Sequence, residues 1–324
     1  MEAKHLIEIR DLSVRYPNAQ NTILRDVHLT LEAGEIACVI GESGSGKSTL
    51  LHSILQLPGR VEIVRGGVFF RGEDLREMRP QQMRTVRGKG IGVVFQEPGA
   101  SLDPIRKIHK QFYDALHAHD RTVTRDYARQ RAVELLQCME FTDPERILDS
   151  CPAQLSGGMN QRVAIAVAMA LEPAVLLADE PTSALDVTAQ AQVVEELLRL
   201  RAQFGTSILL ITHNMGVAAK LADQIAVMYG GRIVEYGPKN EVLHHPAHPY
   251  TRALLAAVPR LDGKALKGIP GQKPEIFPEQ GCAFAPRCSQ VEDLCRRAVL
   301  CRQSAGAEHW TLCVKGDQGH AANT

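Results

Sequence analysis

Short apolar runs bounded by turn residues recur along the chain, and they predict strands buried on both faces. Three such runs cover Ile36–Ile40, Val175–Ala178 and Ser207–Ile211. Between the last two, 189–203 has the spacing of an amphipathic helix. Its predicted apolar side consists of Val193, Leu197, Leu198 and Leu200. Alternation of buried strands with such a helix predicts a doubly wound α/β core.

The two ends of the chain have different patterns. Near the N-terminus, further strands are predicted at 6–9, 12–14, 29–31 and 61–70. The segment 105–138 is instead rich in helix-forming residues. After about Gly237 the pattern changes, because the proline-broken segment 244–249 and the Gly- and Pro-rich segment 268–278 favour loops. We therefore expect a domain boundary near residue 237.

The charge balance excludes some classes of protein. Among 324 residues, 37 Lys and Arg balance 37 Asp and Glu, so the net charge is zero, which argues against a dedicated nucleic-acid-binding protein. The longest apolar run, Val163–Leu171, has nine residues, well short of the roughly 18 that span a bilayer. The N-terminus lacks the apolar segment of a secretory signal. We expect a cytoplasmic chain that depends on other subunits for any membrane span.

Residues 41–49 read G-E-S-G-S-G-K-S-T, which fits the phosphate-loop motif. The motif follows the predicted strand 36–40 and precedes a helical pattern, which is the context it requires. Glycines let backbone N–H groups turn toward phosphate oxygens, and a helix N-terminus favours negative charge. Lys47 is expected to reach the β- and γ-phosphates, and the Ser48 hydroxyl to help hold Mg²⁺.

The apolar run 175–178 ends in Asp179 and Glu180. An acidic pair at a strand end is common and carries little information alone. Beside a phosphate loop, however, it supplies a further Mg²⁺ ligand and a group that can orient the attacking water. Asp179 is expected to coordinate Mg²⁺, directly or through water, and Glu180 to act as the general base that polarises the attacking water.

Residues 155–162, L-S-G-G-M-N-Q-R, resemble the signature motif of ATP-binding cassette (ABC) ATPases. Ser156 can cap the following helix, and Gly157 and Gly158 allow close approach to a phosphate. In that family the motif crosses a dimer interface and contacts the γ-phosphate of ATP on the partner's phosphate loop. Met159 replaces the commoner Gln, as is usual in the peptide-importer branch of the family.

The resemblance extends over residues 6–237 and implies a set of site residues. Tyr16 matches the aromatic residue that stacks on adenine, Gln96 the glutamine that senses Mg²⁺, and His213 the histidine that contacts the γ-phosphate. The implied catalytic residues are Lys47, Glu180 and His213, and the implied Mg²⁺ ligands are Ser48, Gln96 and Asp179. The implied ATP contacts are Tyr16, Gly41, Ser43, Gly44, Gly46, Lys47, Ser48, Thr49, Gln96, Ser156, Gly157, Gly158 and Asp186.

Three further stretches are similar to the dipeptide, oligopeptide and nickel importer branch. They are 96–104 (Q-E-P-G-A-S-L-D-P), 181–188 (P-T-S-A-L-D-V-T) and 248–259 (H-P-Y-T-R-A-L-L-A-A-V-P). This resemblance implies an ATP-hydrolysing subunit that powers import of peptides or a related small solute. A nickel–metallophore or oligosaccharide importer of the same branch stays open as an alternative. A soluble, non-transport ABC ATPase is disfavoured by the zero net charge and the single cassette.

The family also implies an architecture and partners. Residues 1–237 would form an α/β ABC ATPase domain with a RecA-like core, an antiparallel β subdomain and a helical subdomain at about 97–165. Residues 238–324 would form a small Cys-rich extension of the peptide-importer type. The implied partners are two integral-membrane permease subunits, a second ABC ATPase (a sister chain or the same chain) and an extracytoplasmic substrate-binding protein, with no nucleic acid. The implied location is peripheral, on the cytoplasmic face of the inner membrane.

Five of the eight cysteines lie in the last 43 residues. In a reducing cytoplasm such a cluster favours metal binding over disulfides. Cys282, Cys288 and Cys295 form a C-x5-C-x6-C pattern, with Cys301 and Cys313 as candidates for a fourth ligand. The spacing resembles the C-terminal cluster of peptide-importer ATPases, which implies a [4Fe–4S] centre with Cys313 as the fourth ligand. Zinc and reduced, unoccupied thiols stay open as alternatives.

Overall fold

The computed structural model describes residues 5–97, 101–183, 185–258, 268–274, 277–278 and 280–315. Parts of the branch-specific stretches, at 98–100, Ala184 and Pro259, lie outside these ranges, as does the end of the extension after 315. The chain divides into two compact units. The first contains Met1–Ile7, Leu31–Ile36 and Phe70–Thr212, and the second contains Glu8–Thr30, Ala37–Phe69 and His213–Thr324.

The first unit contains a parallel three-stranded arrangement and most of the helices. Strand β7 (Val175–Asp179) pairs in parallel with β6 (Ile91–Val94) on one side and β8 (Ser207–Thr212) on the other. All five residues of β7 are buried, as the continuous apolar run predicted. The other elements are β5 (Glu73–Asp74), α2 (Pro80–Thr85), α3 (Ile108–His119), α4 (Arg125–Cys138), α5 (Pro144–Asp149), α6 (Gly157–Ala168) and α7 (Val187–Phe204).

Helices α3, α4, α5 and α6 pack against one another within the first unit. The helical pattern at 105–138 forms two helices, α3 and α4. The Asp120 side chain accepts the backbone N–H of Thr122 at 2.9 Å in a local turn that ends α3. Thr124 then caps α4 by accepting the N–H of Tyr127 at 3.2 Å.

The second unit contains two sheets. Strand β1 (Ile7–Arg15) lies between β2 (Thr22–Leu31) and β4 (Glu62–Phe70). In the other sheet, β3 (Ile36–Ile40) pairs in parallel with β9 (Gln224–Tyr229), followed by antiparallel β10 (Arg232–Pro238), β12 (His309–Thr311) and β11 (Gln303–Gly306). The helices are α1 (Lys47–Leu55), α8 (Met215–Leu221), α9 (Lys239–His244), α10 (Pro249–Ala256) and α11 (Asp293–Arg297).

The predicted apolar side of α7 was wrong at one position. Val193, Leu197 and Leu200 are buried, whereas Leu198 is only half-buried. The fully buried neighbour is instead Glu196, a carboxylate within an otherwise apolar helix face. Hydrophobic periodicity alone does not predict a buried carboxylate at this position.

Strand β10 runs through the expected boundary near 237, which stays a prediction. Glu235 and Tyr236 of β10 pair with Thr311 and Trp310 of β12, so a strand near the end of the chain extends the sheet. The Glu235 carboxylate is fully buried and accepts three hydrogen bonds. Its donors are the backbone N–H groups of Ala247 (2.7 Å) and His248 (2.9 Å) and, at 2.8 Å, the His309 ring. A buried carboxylate with three donors stabilises the join between β10 and the residues that follow it.

Candidate functional site: a phosphate loop and a signature helix

The phosphate loop connects β3 to α1 in the second unit, as the sequence predicted. The Lys47 side chain is buried and folds back over the loop, where Nζ donates to the carbonyls of Gly41 (2.8 Å) and Glu42 (3.1 Å). A Cβ added at Gly41 would lie 2.2 Å from the carbonyl oxygen of Met228. Only glycine fits there, so the close approach of two backbones fixes where the loop begins.

The turn into α1 exposes backbone groups to an incoming anion. Gly46 is the N-cap residue and has a φ of 109°, which L-amino acids with a side chain rarely adopt. The Ser45 hydroxyl is buried and has no hydrogen-bond partner among the residues described for this chain. A buried hydroxyl without a partner is costly, and a phosphate oxygen would satisfy it.

Other predicted contacts lie in or beside the same loop. Ser43, Gly44 and Ser48 are exposed, so their polar groups can reach a ligand. The Tyr16 ring is 45% exposed, and its hydroxyl lies 3.0 Å from Oγ1 of Thr49. An exposed aromatic ring tethered beside a phosphate loop is a suitable surface on which a base can stack.

Asp179 and Glu180 lie at the end of β7 in the first unit. Asp179 is the last residue of the strand and is buried. Glu180 has a positive φ of 45°, and its N–H donates to the carbonyl of Ile211 at 2.8 Å. Gln96 donates from Nε2 to Oε2 of Glu180 at 3.4 Å, so the structure brings the predicted glutamine to the predicted base. A positive φ in a residue other than glycine is sparsely populated and clusters at functional sites.

The signature helix, defined here as Ser156 together with α6, is also in the first unit. Ser156 caps the helix by accepting the N–H of Met159 at 3.3 Å, as the sequence predicted, and the helix begins at Gly157. A Cβ at Gly157 would meet no atom within 4 Å among the described residues. Asp186 caps α7 in the same way, accepting the N–H of Ala189 at 2.9 Å.

A buried ion pair anchors the signature helix. Nε of Arg162 lies 2.5 Å from Oε1 of Glu196 on α7, and the Arg162 guanidinium also donates to the carbonyl of Met139. Burial raises the pKa of Glu196 to about 7, although the charge of Arg162 acts against this shift. The carboxyl group therefore titrates near neutral pH.

His213 follows β8 and belongs to the second unit, where its side chain is exposed. The next residue, Asn214, caps α8 and accepts the N–H groups of Gly216 (2.9 Å) and Val217 (3.3 Å). This cap fixes the turn that carries His213. The role of His213 stays a prediction.

Residues of the extension hold the phosphate loop through contacts that no local sequence pattern predicted, although Tyr250 lies within the branch-specific stretch 248–259. Arg287 donates to both carboxylate oxygens of Glu42, at 2.8 and 3.3 Å. The hydroxyl of Tyr250 accepts the N–H of Glu42 at 3.0 Å, and Nζ of Lys273 donates to the carbonyl of Ser43 at 2.6 Å. These contacts join residues more than 200 positions apart, beyond the reach of any local pattern.

Four cysteines of the extension surround one cavity. Cys282, Cys288, Cys295 and Cys313 all line it, whereas Cys301 is exposed and is not among its lining residues. Burial raises the pKa of the Cys282 thiol to about 11, and it raises that of Cys288 as well. Within the described ranges, no group of three or more His, Cys, Asp or Glu residues is placed to hold a metal ion. The thiols therefore line a cavity but do not converge on one point.

Comparison with known families agrees with this arrangement. Residues 24–183 match the ABC transporter family, and residues 234–295 match the family described as the oligopeptide/dipeptide transporter C-terminal region. The chain is 43% identical over 294 residues to the oligopeptide transport ATP-binding protein OppD of Bacillus subtilis. This match covers 88% of this chain and 81% of that protein. It is 40% identical to a peptide import ATP-binding protein of Brucella melitensis, covering 97% of this chain and 98% of that protein.

Solved structures show the same fold. The dimeric post-hydrolysis structure of the ATP-binding cassette MJ0796 with ADP and Pi matches with a TM-score of 0.64 and 30% identity, over 72% of this chain and 98% of that one. The fold and the site motifs thus define an ABC-type ATPase. Within that class, the chain belongs to the family of ATP-binding subunits of oligopeptide/dipeptide ABC transporters. No helix among the described residues combines the length and apolar character of a membrane span.

Proposed function

We propose that the chain hydrolyses ATP to power the import of peptides through an ABC transporter. The observation that carries this proposal is its 43% identity, over 88% of its length, to a protein named for oligopeptide transport. The match of 234–295 to the transporter C-terminal family supports peptides as the solute class. The alternative solutes, nickel–metallophore complexes and oligosaccharides, are not favoured, nor is a soluble non-transport ATPase.

The residues at the motifs have distinct proposed roles. Lys47 would leave the loop carbonyls to bind the β- and γ-phosphates. Glu180, held at 3.4 Å by Gln96, would accept a proton from the water that attacks the γ-phosphorus. The bond from that phosphorus to the bridging oxygen then breaks, giving ADP and phosphate. His213 would donate to the γ-phosphate and stabilise its developing charge.

Mg²⁺ fits the oxygen donors that these motifs offer. The exposed Ser48 hydroxyl follows Lys47 at the start of α1, and the Asp179 carboxylate ends β7. Hydroxyl and carboxylate oxygens are the ligands that Mg²⁺ prefers, and Gln96 would add an amide oxygen. When bound, the ion would neutralise phosphate charge as the terminal bond breaks.

A complete site would need a second ATPase subunit, either a sister chain or a second copy. Ser156, Gly157 and Gly158 of one subunit would then contact ATP held by the partner's phosphate loop, with Asp186 near the crossing. The open space around Gly157 supports such a contact. The structural relative solved as a dimer is consistent with it.

The transport partners follow from the family. Two permease subunits would span the membrane, the helices α3 to α6 would dock their coupling segments, and an extracytoplasmic binding protein would select the peptide. The chain would lie peripherally on the cytoplasmic face of the inner membrane. Its zero net charge is consistent with a protein partner rather than nucleic acid.

For the extension we propose a [4Fe–4S] centre held by Cys282, Cys288, Cys295 and Cys313. Four thiolates are the ligand set of such a centre, and these four thiols line one cavity. The shared cavity supports this choice over Cys301. The centre would cross-link and stabilise a segment that has only a small hydrophobic core of its own. A visible spectrum after anaerobic purification, with iron and sulfide assays, tests it, and a colourless protein with stoichiometric zinc would contradict it.

The decisive test of the ATPase proposal is Glu180→Gln. Loss of a general base lowers turnover by about 10²–10⁴-fold, while ATP binding should persist because the phosphate loop is intact. Glu195→Gln, which changes an exposed carboxylate of α7, is the matched control and should leave turnover unchanged. Hydrolysis measured with the permease subunits present checks both. Wild-type turnover by Glu180→Gln would remove Glu180 from the mechanism.

A further inference from the structure

The strongest unassigned feature is the contact between the cysteine-rich extension and the phosphate loop. Arg287 lies on the one-turn 3-10 segment Ala285–Arg287, directly before Cys288. Its side chain is only 4% exposed, so the guanidinium is enclosed by protein rather than by water. An arginine this buried needs acceptors for its N–H groups.

Every nitrogen of the Arg287 guanidinium has an acceptor. Nε donates to the carbonyl of Pro270 at 2.9 Å, and one terminal nitrogen donates to Oε2 of Glu42 at 2.8 Å and to the hydroxyl of Tyr229 at 3.3 Å. The other donates to Oε1 of Glu42 at 3.3 Å. The orientation of the guanidinium is therefore fixed, and its two terminal nitrogens both donate to the Glu42 carboxylate.

Glu42 is the second residue of the phosphate loop, so this contact acts on the loop itself. Its N–H is held by Tyr250, and its carbonyl accepts from Lys47. Side chain, amide and carbonyl of one loop residue are thus all fixed, two of them by residues that follow β10. A loop whose peptide groups are already oriented loses less entropy when phosphate binds.

We propose that Arg287 is a positioning residue, which holds Glu42 so that the phosphate loop is preorganised for ATP. The idea rests on the proposed ATPase function but assigns a role outside the family's nucleotide motifs. Arg287 does not itself touch ATP in this proposal. Its loss should weaken ATP binding and leave the rate at saturating ATP close to wild type, because the reacting groups are unchanged.

The test is the dissociation constant of the full-length chain for a fluorescent ATP analogue with Mg²⁺. Arg287→Ala and Glu42→Ala should each raise it by about tenfold, and the double variant by no more than either single change, as expected for one coupled pair. Arg287→Lys should restore only part of the affinity, since an ammonium cannot replace the two-armed contact. Arg297→Ala, an exposed arginine of the same extension, is the control and should bind like wild type.

The outcomes distinguish a failure of the positioning role of Arg287 from a failure of the proposed ATPase function. If wild type binds no ATP, the proposed function fails. If wild type binds and Arg287→Ala binds equally well, only the positioning role is overturned. Multiplying effects in the double variant would also overturn it, since the two residues would then act independently. If Arg287→Ala does not fold, Glu42→Ala decides alone, because it leaves the extension intact.

Discussion

The phosphate loop and the signature helix are each anchored by an arginine–glutamate pair, but the two pairs differ in exposure. In the signature helix, Glu196 is 0% exposed beside Arg162. At the phosphate loop, the Glu42 side chain keeps 28% exposure beside Arg287. A fully buried pair is costly to break from one side, because the remaining charge loses both water and partner. The first pair therefore keeps its carboxylate wholly inside the protein, whereas the second leaves part of its carboxylate in contact with solvent.

The glycines of the two motifs differ in the opposite direction, because the closer packing is at the phosphate loop. Gly41 of the loop has a backbone oxygen of its own unit in close approach, while an added Cβ at Gly157 of the signature helix would meet no atom of the described residues within 4 Å. Close packing within its own unit explains why the loop has glycine at position 41, whereas the described residues around Gly157 do not require a glycine there. The fold therefore accounts for the loop glycine, and the role of Gly157 stays a prediction.

Among the changes that test this comparison, the largest expected effect concerns the loop. Lys47→Ala removes the charged group that we assign to the β- and γ-phosphates, and hydrolysis should fall by on the order of 10²–10³-fold, as for other losses of a single charge-stabilising donor. Titration of an ATP analogue should show weakened binding by the chain alone. If the signature helix rather than the loop governed binding by a single chain, this variant would bind normally.

A matched pair of glycine substitutions tests the second difference directly. Gly41→Ala would place a Cβ 2.2 Å from the carbonyl oxygen of Met228, and we expect it to lower the free energy of unfolding by about 1–3 kcal/mol. Gly157→Ala meets open space, so its free energy of unfolding should change by less than about 0.5 kcal/mol. Urea denaturation measures both.

Activity gives the second readout for that pair. Gly157→Ala should fold normally yet slow hydrolysis in the assembled transporter, because the added methyl would face the partner's ATP. If Gly157→Ala instead unfolds the chain, or leaves hydrolysis at the wild-type rate, the contrast between a packed loop and an open signature helix fails.

The pH dependence of stability tests the buried anchor. The pKa of Glu196 is raised from 4.5 to about 7 by burial, so the folded chain holds this proton where the unfolded chain has lost it. Its contribution to the free energy of unfolding therefore falls as pH rises from about 4.5 to 7, by about 1.4 kcal/mol for each pKa unit. Glu196→Gln should remove this slope from denaturation curves measured at several pH values.

Glu195→Gln is the control for that slope. It changes the neighbouring exposed carboxylate and should keep the wild-type pH dependence. A profile for Glu196→Gln that overlays wild type between pH 5 and 8 would show that the Arg162 pair keeps Glu196 ionised throughout, contrary to the burial argument.

The smallest expected effect is at the helix start. Ser156→Ala removes the hydroxyl that accepts the Met159 N–H, and loss of such a cap costs about 1 kcal/mol. Ser156→Thr keeps the cap and should restore the free energy of unfolding, which thermal or urea denaturation measures. Equal stability of the alanine and wild-type chains would mean that water caps the helix as well as Ser156 does.

Local patterns predicted the site's own motifs well and its supports poorly. The run 36–40 became β3 with the same bounds, because an all-apolar segment can only be buried. The capping serine and the acidic strand end also followed from short stretches, whereas Gln96 was implied by the family resemblance. By contrast, Arg287 and Glu42 are 245 positions apart, and nothing near either residue indicates its partner. Leu198 was wrongly assigned and the burial of Glu196 was not predicted, because periodicity gives a helix face but not the ion pairs within it.

Strand β12 has a further consequence for the solubility of the isolated chain. Without it, β10 would expose the backbone groups of a seven-residue strand that contains Ile233 and Val234, which is a template for pairing with other chains. With β12 and then β11 added, the described sheet ends instead in four residues, Gln303–Gly306, that carry no large apolar side chain. Short polar edges resist such pairing. Shortened versions of the chain that stop after β10 should therefore tend to aggregate, whatever their ability to bind nucleotide.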